Sequence, residues 1–573
     1  MIFFGVSNKK ILILALFFIL LAPSAVRAVN SGDSVNFYID SNYDSSARSQ
    51  TTATLVKTTS NIYFYVEKKW LDSQMPAKQN EILLNLDSLS SEFSNRIYPT
   101  LTSVFGSEWK PGVDGDAKIT ILFHPMKEGT GGYFRSADEY LKLQISDSNE
   151  REMLYLPISQ IDNPEIKVFL AHELAHLITF NQKDKIFDVQ EEVWLNEARA
   201  DYSSNILGYD TSYSGSNLQK RAQTFLEKPT DSLTEWQESK YDYGVVSLFT
   251  HYLIDHYGID ILVDSLKSKL TGINSINYAL KRNGVKEDFS QIFTNWTITS
   301  VVNDCSLDIK YCYLNANLKN LRLNSTLNFL PLVGNSLLSV TNVTKNWSGN
   351  WQKIIGGNGD LKLNFSSSAG LNFQVPYIVF DKDNNYSIKF LKLDKKEQGE
   401  ITIKNFGSDY NSLIIIPSLQ TKIEGFDGFE FTYPYTFTVS IEGQTSQEDQ
   451  VLIQKLLDQI ASLKKQIADI IAQKNGENSN NSNLCLQING NLSFGMSNNS
   501  EIKCLQTFLK SQGVDIYPEG FVTGYFGSLT RSAVTRFQEK YRVEILAPLG
   551  LFSGTGVVGP ATRIKINFFL SDG

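Results

Sequence analysis

The sequence predicts a multidomain, exported α+β protein, and three observations predict it. At 573 residues the chain exceeds what one hydrophobic core organises, so three or four domains are expected. The texture also changes along the chain, from mixed strands and helices, to helices, to short alternating strands, to a heptad-like run, to a helical C-terminal segment. Finally, Lys9 and Lys10 precede the apolar run Ile11 to Ala22, and "PSAVRA" follows with small residues at Val26 and Ala28.

That N-terminal pattern reads as a secretory signal peptide, residues 1–28, cleaved after Ala28. An uncleaved anchor is the weaker alternative, because about a dozen apolar residues are short for a membrane span. Removing Lys9, Lys10 and Arg27, with no acid, takes the net charge from −8 to about −11. An acidic exported chain argues against nucleic-acid binding, and no other segment reaches membrane-spanning length. The four cysteines form two close pairs, Cys305 with Cys312 and Cys485 with Cys504, which read as two disulfides. A cysteine metal site fits less well, because the pairs lie far apart without Cys-x-x-Cys spacing.

Residues 29–317 are expected to form one domain. "TTATLVKTTSNIYFYVE" alternates like a strand pair, "EILLNLDSLSSEFSNRIYPTL" has helical periodicity, and "KITILFH" is a short buried strand. Helices dominate from about 164, with Pro164 suited to the first turn of the segment that carries His172. Residues 318–444 place short alternating strands between Gly, Asn and Asp, the pattern of a β-sandwich. Residues 445–483 space Ile453, Leu456, Ile460, Leu463, Ile467 and Ile470 by three and four, giving a coiled-coil seam or a single packed helix, then a polar linker. Residues 484–573 join helical patterns to glycine punctuation, with Thr530 where a helix begins.

Chemistry concentrates in "LAHELAHLIT". His172 and His176 are four apart, so a helix sets both imidazoles on one face, within reach of one cation. Glu173 points about a quarter turn away, where it can hold a water. The bland alternative is a buried helix whose small and apolar residues form core while His172, Glu173 and His176 stay solvated. Tetrahedral zinc needs a third ligand, and "EEVWLNEARADY" supplies Glu197 and Asp201, four apart on one helix face, so that one can ligate while the other accepts an imidazole N–H.

With "MLYLPI", "GTGGYF" and "KYDYGVVSLFTHYL", these strings resemble the gluzincin metallopeptidases of the thermolysin-like clan, most closely the hyicolysin-type neutral metallopeptidases, over roughly residues 35 to 300. The resemblance implies a thermolysin-like α+β catalytic domain and Zn2+ as cofactor. It assigns His172, His176 and Glu197 as ligands, Glu173 as general base and Asp201 as the aspartate that orients His172. It also suggests Tyr241 as oxyanion donor, with Tyr243 as rival. Arg199 departs from the usual small residue, and could pair with an acid or bias the pocket.

Other residues carry weaker signals. His251 and His256 are five apart, off a common face, and read as core or surface groups, with an auxiliary donor in the cleft as the alternative. His124 ends a strand. Gly131 and Gly132 form a turn that could approach substrate, and Asp114-Gly-Asp116 needs only a turn to explain it.

In the C-terminal segment, Leu505-Gln506, Phe508-Leu509, Gly524-Tyr525-Phe526-Gly527, Thr530, Ala533-Val534, Phe537-Gln538, Gly556-Val557-Val558-Gly559 and Thr562 resemble the peptidoglycan-binding domain, a small all-α three-helix module. The combined expectation is a secreted zinc endopeptidase that acts on protein or peptide and is held at the cell wall through peptidoglycan. The alternatives are a hydrolase of peptidoglycan stem peptides and a non-enzymatic wall-bound adhesin.

Overall fold

A computed structural model describes residues 30–237, 239–332, 334–426, 430–442, 487–496, 500–518, 520–549, 551 and 553–571, with isolated positions 455, 458, 459 and 462. The expected signal peptide, Cys485 and the six heptad positions lie outside the described residues. The chain divides into two units, Met1–Gln450 and Val451–Gly573.

In the first unit, six strands form one sheet: β1 (Ser34–Tyr38), β2 (Gln50–Thr58), β3 (Ile62–Glu67), β4 (Ile119–His124), β5 (Tyr133–Phe134) and β6 (Met153–Pro157), in the order β1-β2-β3-β4-β6-β5. β3, β4 and β6 run parallel, and every residue of β4 and β6 is buried, as parallel strands covered on both faces require. One face packs Phe64, Ile121 and Leu154 against helices, while the other gathers Leu55, Tyr65, Leu122 and Tyr155. The short β5 pairs antiparallel with β6 and forms one edge of the sheet.

The helices that matter for the site are α1 (Pro76–Glu92), α2 (Ile166–Phe180), α3 (Val193–Ile206), α4 (Asn217–Glu227), α5 (Lys240–Tyr257) and α6 (Phe289–Val302). α2 is apolar almost all round and lies inside the fold. Burial of Leu170, Leu174, Leu177 and Ile178 contributes on the order of 2 kcal/mol each, enough to hold a helix that also desolvates Glu173. It begins two residues later than the sequence suggests. Pro164 lies in the preceding turn, where Asn163 Oδ1 accepts the Glu165 N–H at 2.9 Å.

Downstream come β7 (Thr326–Leu330), β8 (Ser336–Thr344), β9 (Gln352–Gly356), β10 (Gly359–Ser367), β11 (Phe373–Gln374), β12 (Pro376–Asp381), β13 (Tyr386–Phe390), β14 (Gln398–Phe406), β15 (Tyr410–Ile415), β16 (Ser418–Leu419) and β17 (Tyr433–Ile441). They form two arms, β13-β12-β15-β9-β7 and β14-β10-β17-β8, paired among the described residues at Phe406 and Tyr410 where β14 turns into β15. Both arms feed one apolar cluster, including Ile354, Val379 and Leu413 from the first and Leu363, Ile403 and Phe437 from the second.

This strand region also shares the core of the helical body. Trp347 and Trp351 join its main cluster, Trp351 Nε1 donates to the Thr297 carbonyl of α6 at 2.8 Å, and Gly425 N–H donates to Glu192 at the start of α3 at 3.0 Å. Cys305 and Cys312 form a disulfide, and Cys504 is also disulfide-bonded. No helix among the described residues is long and apolar enough to cross a membrane.

The second unit contains α7 (Ser500–Ser511), α8 (Ser528–Lys540) and α9 (Pro560–Ser571) around Leu505, Phe526, Val534, Phe537 and Ile566.

Candidate metal centre

His172 and His176 stand one turn apart on α2 with their Nε2 atoms 3.1 Å from each other. From α3, Glu197 places Oε2 3.3 Å from His172 Nε2 and Oε1 3.5 Å from His176 Nε2. Among the described residues this is the one group of three such side chains whose ligand atoms lie within 4.8 Å of one another.

The three fit zinc on two observations. Four ligands about 2.0–2.1 Å from a tetrahedral ion are separated by edges of about 3.4 Å, close to the spacings seen here. Glu197 Oε2 is buried without a hydrogen-bond partner, an arrangement that costs about 1–3 kcal/mol unless something else satisfies it. Two nitrogens and a carboxylate form a donor set suited to that ion.

The surrounding charge is set by burial. Burial pulls the His172 imidazolium down, but Glu197, Glu173 and Asp201 outweigh it and hold its pKa above the usual value. His176 is lowered, by burial first. Burial, reinforced by Glu197, pushes the Glu173 carboxyl up to about 8 against the opposing influence of His172. Glu173 is 5% exposed and packs against the backbone of Gly132, where a Cβ would fall 2.9 Å from its Oε1. The same Cβ would fall 2.8 Å from the Tyr155 carbonyl of β6, so the glycine before β5 lets the sheet edge close up beside Glu173.

Asn196, to which the sequence reading gave no role, orients the second histidine, its Oδ1 lying 3.1 Å from His176 Nδ1. Asp201 does not take the expected place. Its carboxylate accepts from Asn217 at 2.9 Å and Arg221 at 2.8 Å, and it acts on His172 through charge rather than a hydrogen bond. α4 supplies both partners.

The tyrosine also differs. Successive helical residues are about 100° apart, so Tyr241 and Tyr243 face nearly opposite sides of α5. Tyr243 meets the site, its ring 6.4 Å from that of His172 and its phenol subject to the charges of Glu197, Glu173 and Asp201. Tyr241 lies instead beside Lys228 and Lys240, at 5.2 and 5.0 Å. A capping box of Ser239 and Asp242 fixes the start of α5, and Arg221 over one face of Tyr243 at 4.2 Å and Trp236 at 4.8 Å hold the ring. Gly244 lets α4 pack closely, since a Cβ there would lie 2.7 Å from the Phe225 nitrogen.

The other residues singled out in the sequence have partners within the fold. Arg199 is fully buried and donates to Glu191 and Ser265, both at 2.8 Å. His256 bonds the Cys312 carbonyl at 2.9 Å, and His251 is buried against Tyr202. His124 lies between Tyr133 and Asp44. Gly131 underlies Phe169, and the Asp114 side chain closes a turn on the Asp116 N–H at 2.8 Å.

In the second unit, Thr530 lies inside α8 rather than capping it, and accepts from Gln506 at 2.9 Å. Gln506 also bonds the Thr523-Gly524-Tyr525 loop, and Gln538 repeats this pattern 32 residues later with Thr555, Gly556, Val557 and Thr562. Two glutamines thus clamp two similar glycine loops.

Residues 498–566 match the family described as "Putative peptidoglycan binding domain". This peptidoglycan-binding domain covers the clamped loops and all but the last residues of α9. The chain has no match among curated proteins. Among solved structures it is similar to the Yersinia pseudotuberculosis-derived mitogen, at 11% identity over 20% of this chain and 92% of that one, TM-score 0.15. It is also similar to the pre-peptidase C-terminal domain of a Bacillus anthracis collagenase, at 7% identity over 20% and 96%, TM-score 0.15.

Proposed function

We propose that the chain is an extracytoplasmic zinc-dependent endopeptidase with a thermolysin-like catalytic domain, held at the cell wall by its peptidoglycan-binding domain. The observation that carries the reading is the convergence of His172 Nε2, His176 Nε2 and the Glu197 carboxylate. The N-terminal signal pattern and the Cys305–Cys312 disulfide support export.

Bound by His172, His176 and Glu197, zinc would supply Lewis acidity and lower the pKa of a water. Glu173, dry and beside the triad, takes a proton from the attacking water and delivers it to the leaving amine. Tyr243 donates its hydroxyl to the charge developing on the scissile carbonyl oxygen. The open edge of β5, next to Glu173, offers main-chain groups to an extended peptide.

The peptidoglycan-binding domain favours one second reading, hydrolysis of the stem peptides of peptidoglycan. Incubating purified full-length protein with casein and with purified sacculi separates the two. The endopeptidase reading expects casein fragments, whereas peptide release from sacculi alone favours the wall hydrolase.

A further inference from the structure

A second set of buried acids surrounds the 3-10 turn Ser136–Glu139, just after β5, and the residue preceding β6. Glu139 is fully buried and neither of its carboxylate oxygens has a hydrogen-bond partner. It faces Glu152, which is 2% exposed and accepts the Val113 N–H on Oε1 at 3.3 Å. As carboxylates, neither can donate to the other.

Further negative charge reaches the pair from Asp138, Glu108 and Asp114. Three neighbouring cations have partners of their own. Arg135 pairs with Asp138 at 3.1 Å and Lys110 with Glu108 at 3.7 Å. Lys185 donates to the Glu139 carbonyl at 3.0 Å, with its Nζ 4.0 Å from the Tyr140 ring and 4.2 Å from Trp109, and acts on the carboxylates only through space. Arg151 lies over Phe37, leaves its Nε without a hydrogen-bond partner and acts on Asp114 through space.

Two like charges that face each other inside a low-dielectric interior cannot both persist without a proton or a cation to offset them. We propose that Glu139 and Glu152 are the carboxylate ligands of a structural divalent-cation site of the calcium class. Oxygen donors alone select a hard cation, and calcium tolerates the irregular six to eight oxygens that two carboxylates, nearby carbonyls and water supply. The site would tie the turn after the substrate-facing edge strand to the start of β6, independently of the zinc triad. Without a cation, burial first and then mutual repulsion push Glu139 up to about 9, so that the pair would hold a proton instead.

The test uses full-length protein with its zinc content monitored, dialysed free of other divalent ions. Calcium at about millimolar concentration is expected to raise the unfolding midpoint by several degrees, saturably and more than magnesium does. Glu139→Gln, isosteric and uncharged, is expected to fold, to retain zinc and to lose that shift. Terbium emission sensitised by nearby tyrosine and tryptophan provides a second readout, displaced by calcium in the wild type. An unchanged wild-type midpoint overturns the site, as do equal shifts in wild type and Glu139→Gln. If that variant fails to fold, wild-type terbium emission that calcium does not displace overturns it as well.

Discussion

Asn196 Oδ1 lies 3.1 Å from His176 Nδ1. A carbonyl oxygen can only accept, so Nδ1 carries the proton and the Nε2 lone pair is presented to His172 and Glu197. Partners of this kind are worth about 10–100-fold in metal affinity. Asn196→Ala is therefore expected to weaken zinc binding by about that factor in a chelator competition, while Asn196→Asp retains most of it. Equal affinity in wild type and Asn196→Ala would remove Asn196 from the site.

Tyr243 and Tyr241 make a matched pair. Tyr243→Phe preserves the ring between Arg221 and Trp236 but removes the hydroxyl, and is expected to lower kcat by about 10²–10³ with little change in KM. Tyr241→Phe, beside Lys228, is expected to leave kcat within about twofold. The reverse ranking in peptide hydrolysis would reinstate Tyr241.

The part of the site set by helical spacing was legible in the sequence. His172 and His176 share a face because they are four apart, and Glu197 follows on the next helix in a recognisable string. What spacing does not encode is the rotation of one helix against another. "YDYG" offers two tyrosines, and only the packing of α5 on α4, allowed by Gly244 and fixed by the Ser239–Asp242 box, decides which one meets the triad. The same packing brings Arg221 and Asn217 to Asp201. Asn196 reads as a solvated helix residue until its neighbour across the helix pair is known, and Glu139 in "SADEY" carries no signal until β6 brings Glu152 to it. The strand region is separable by its alternating texture, yet Trp347 and Trp351 bury it in the core of the helical body, a long-range relationship that local pattern does not carry.

Stability should depend on pH through His124. Burial, opposed by Asp44, lowers its pKa from 6.5 to about 4 in the folded protein. The unfolded chain takes up a proton below about 6.5 and the native one only near 4, so this contribution is complete above pH 6.5 and is lost as pH falls from 6.5 to 4. The loss amounts to about 3 kcal/mol at most. Urea unfolding at pH 7 and 4.5 is expected to show a smaller acid-induced drop for His124→Gln than for wild type. An identical drop in both would mean that His124 is not a source of the acid sensitivity.

The central claim is that His172, His176 and Glu197 hold zinc while Glu173 moves the proton. It is tested most directly by measuring metal content and peptide turnover together, in wild type and in Glu173→Gln. The account predicts about one zinc per chain in both proteins and a loss of turnover of at least about 10²-fold in the variant, since the amide occupies the same space but cannot accept a proton. Wild-type protein purified without stoichiometric zinc, or equal turnover in the two, would contradict it.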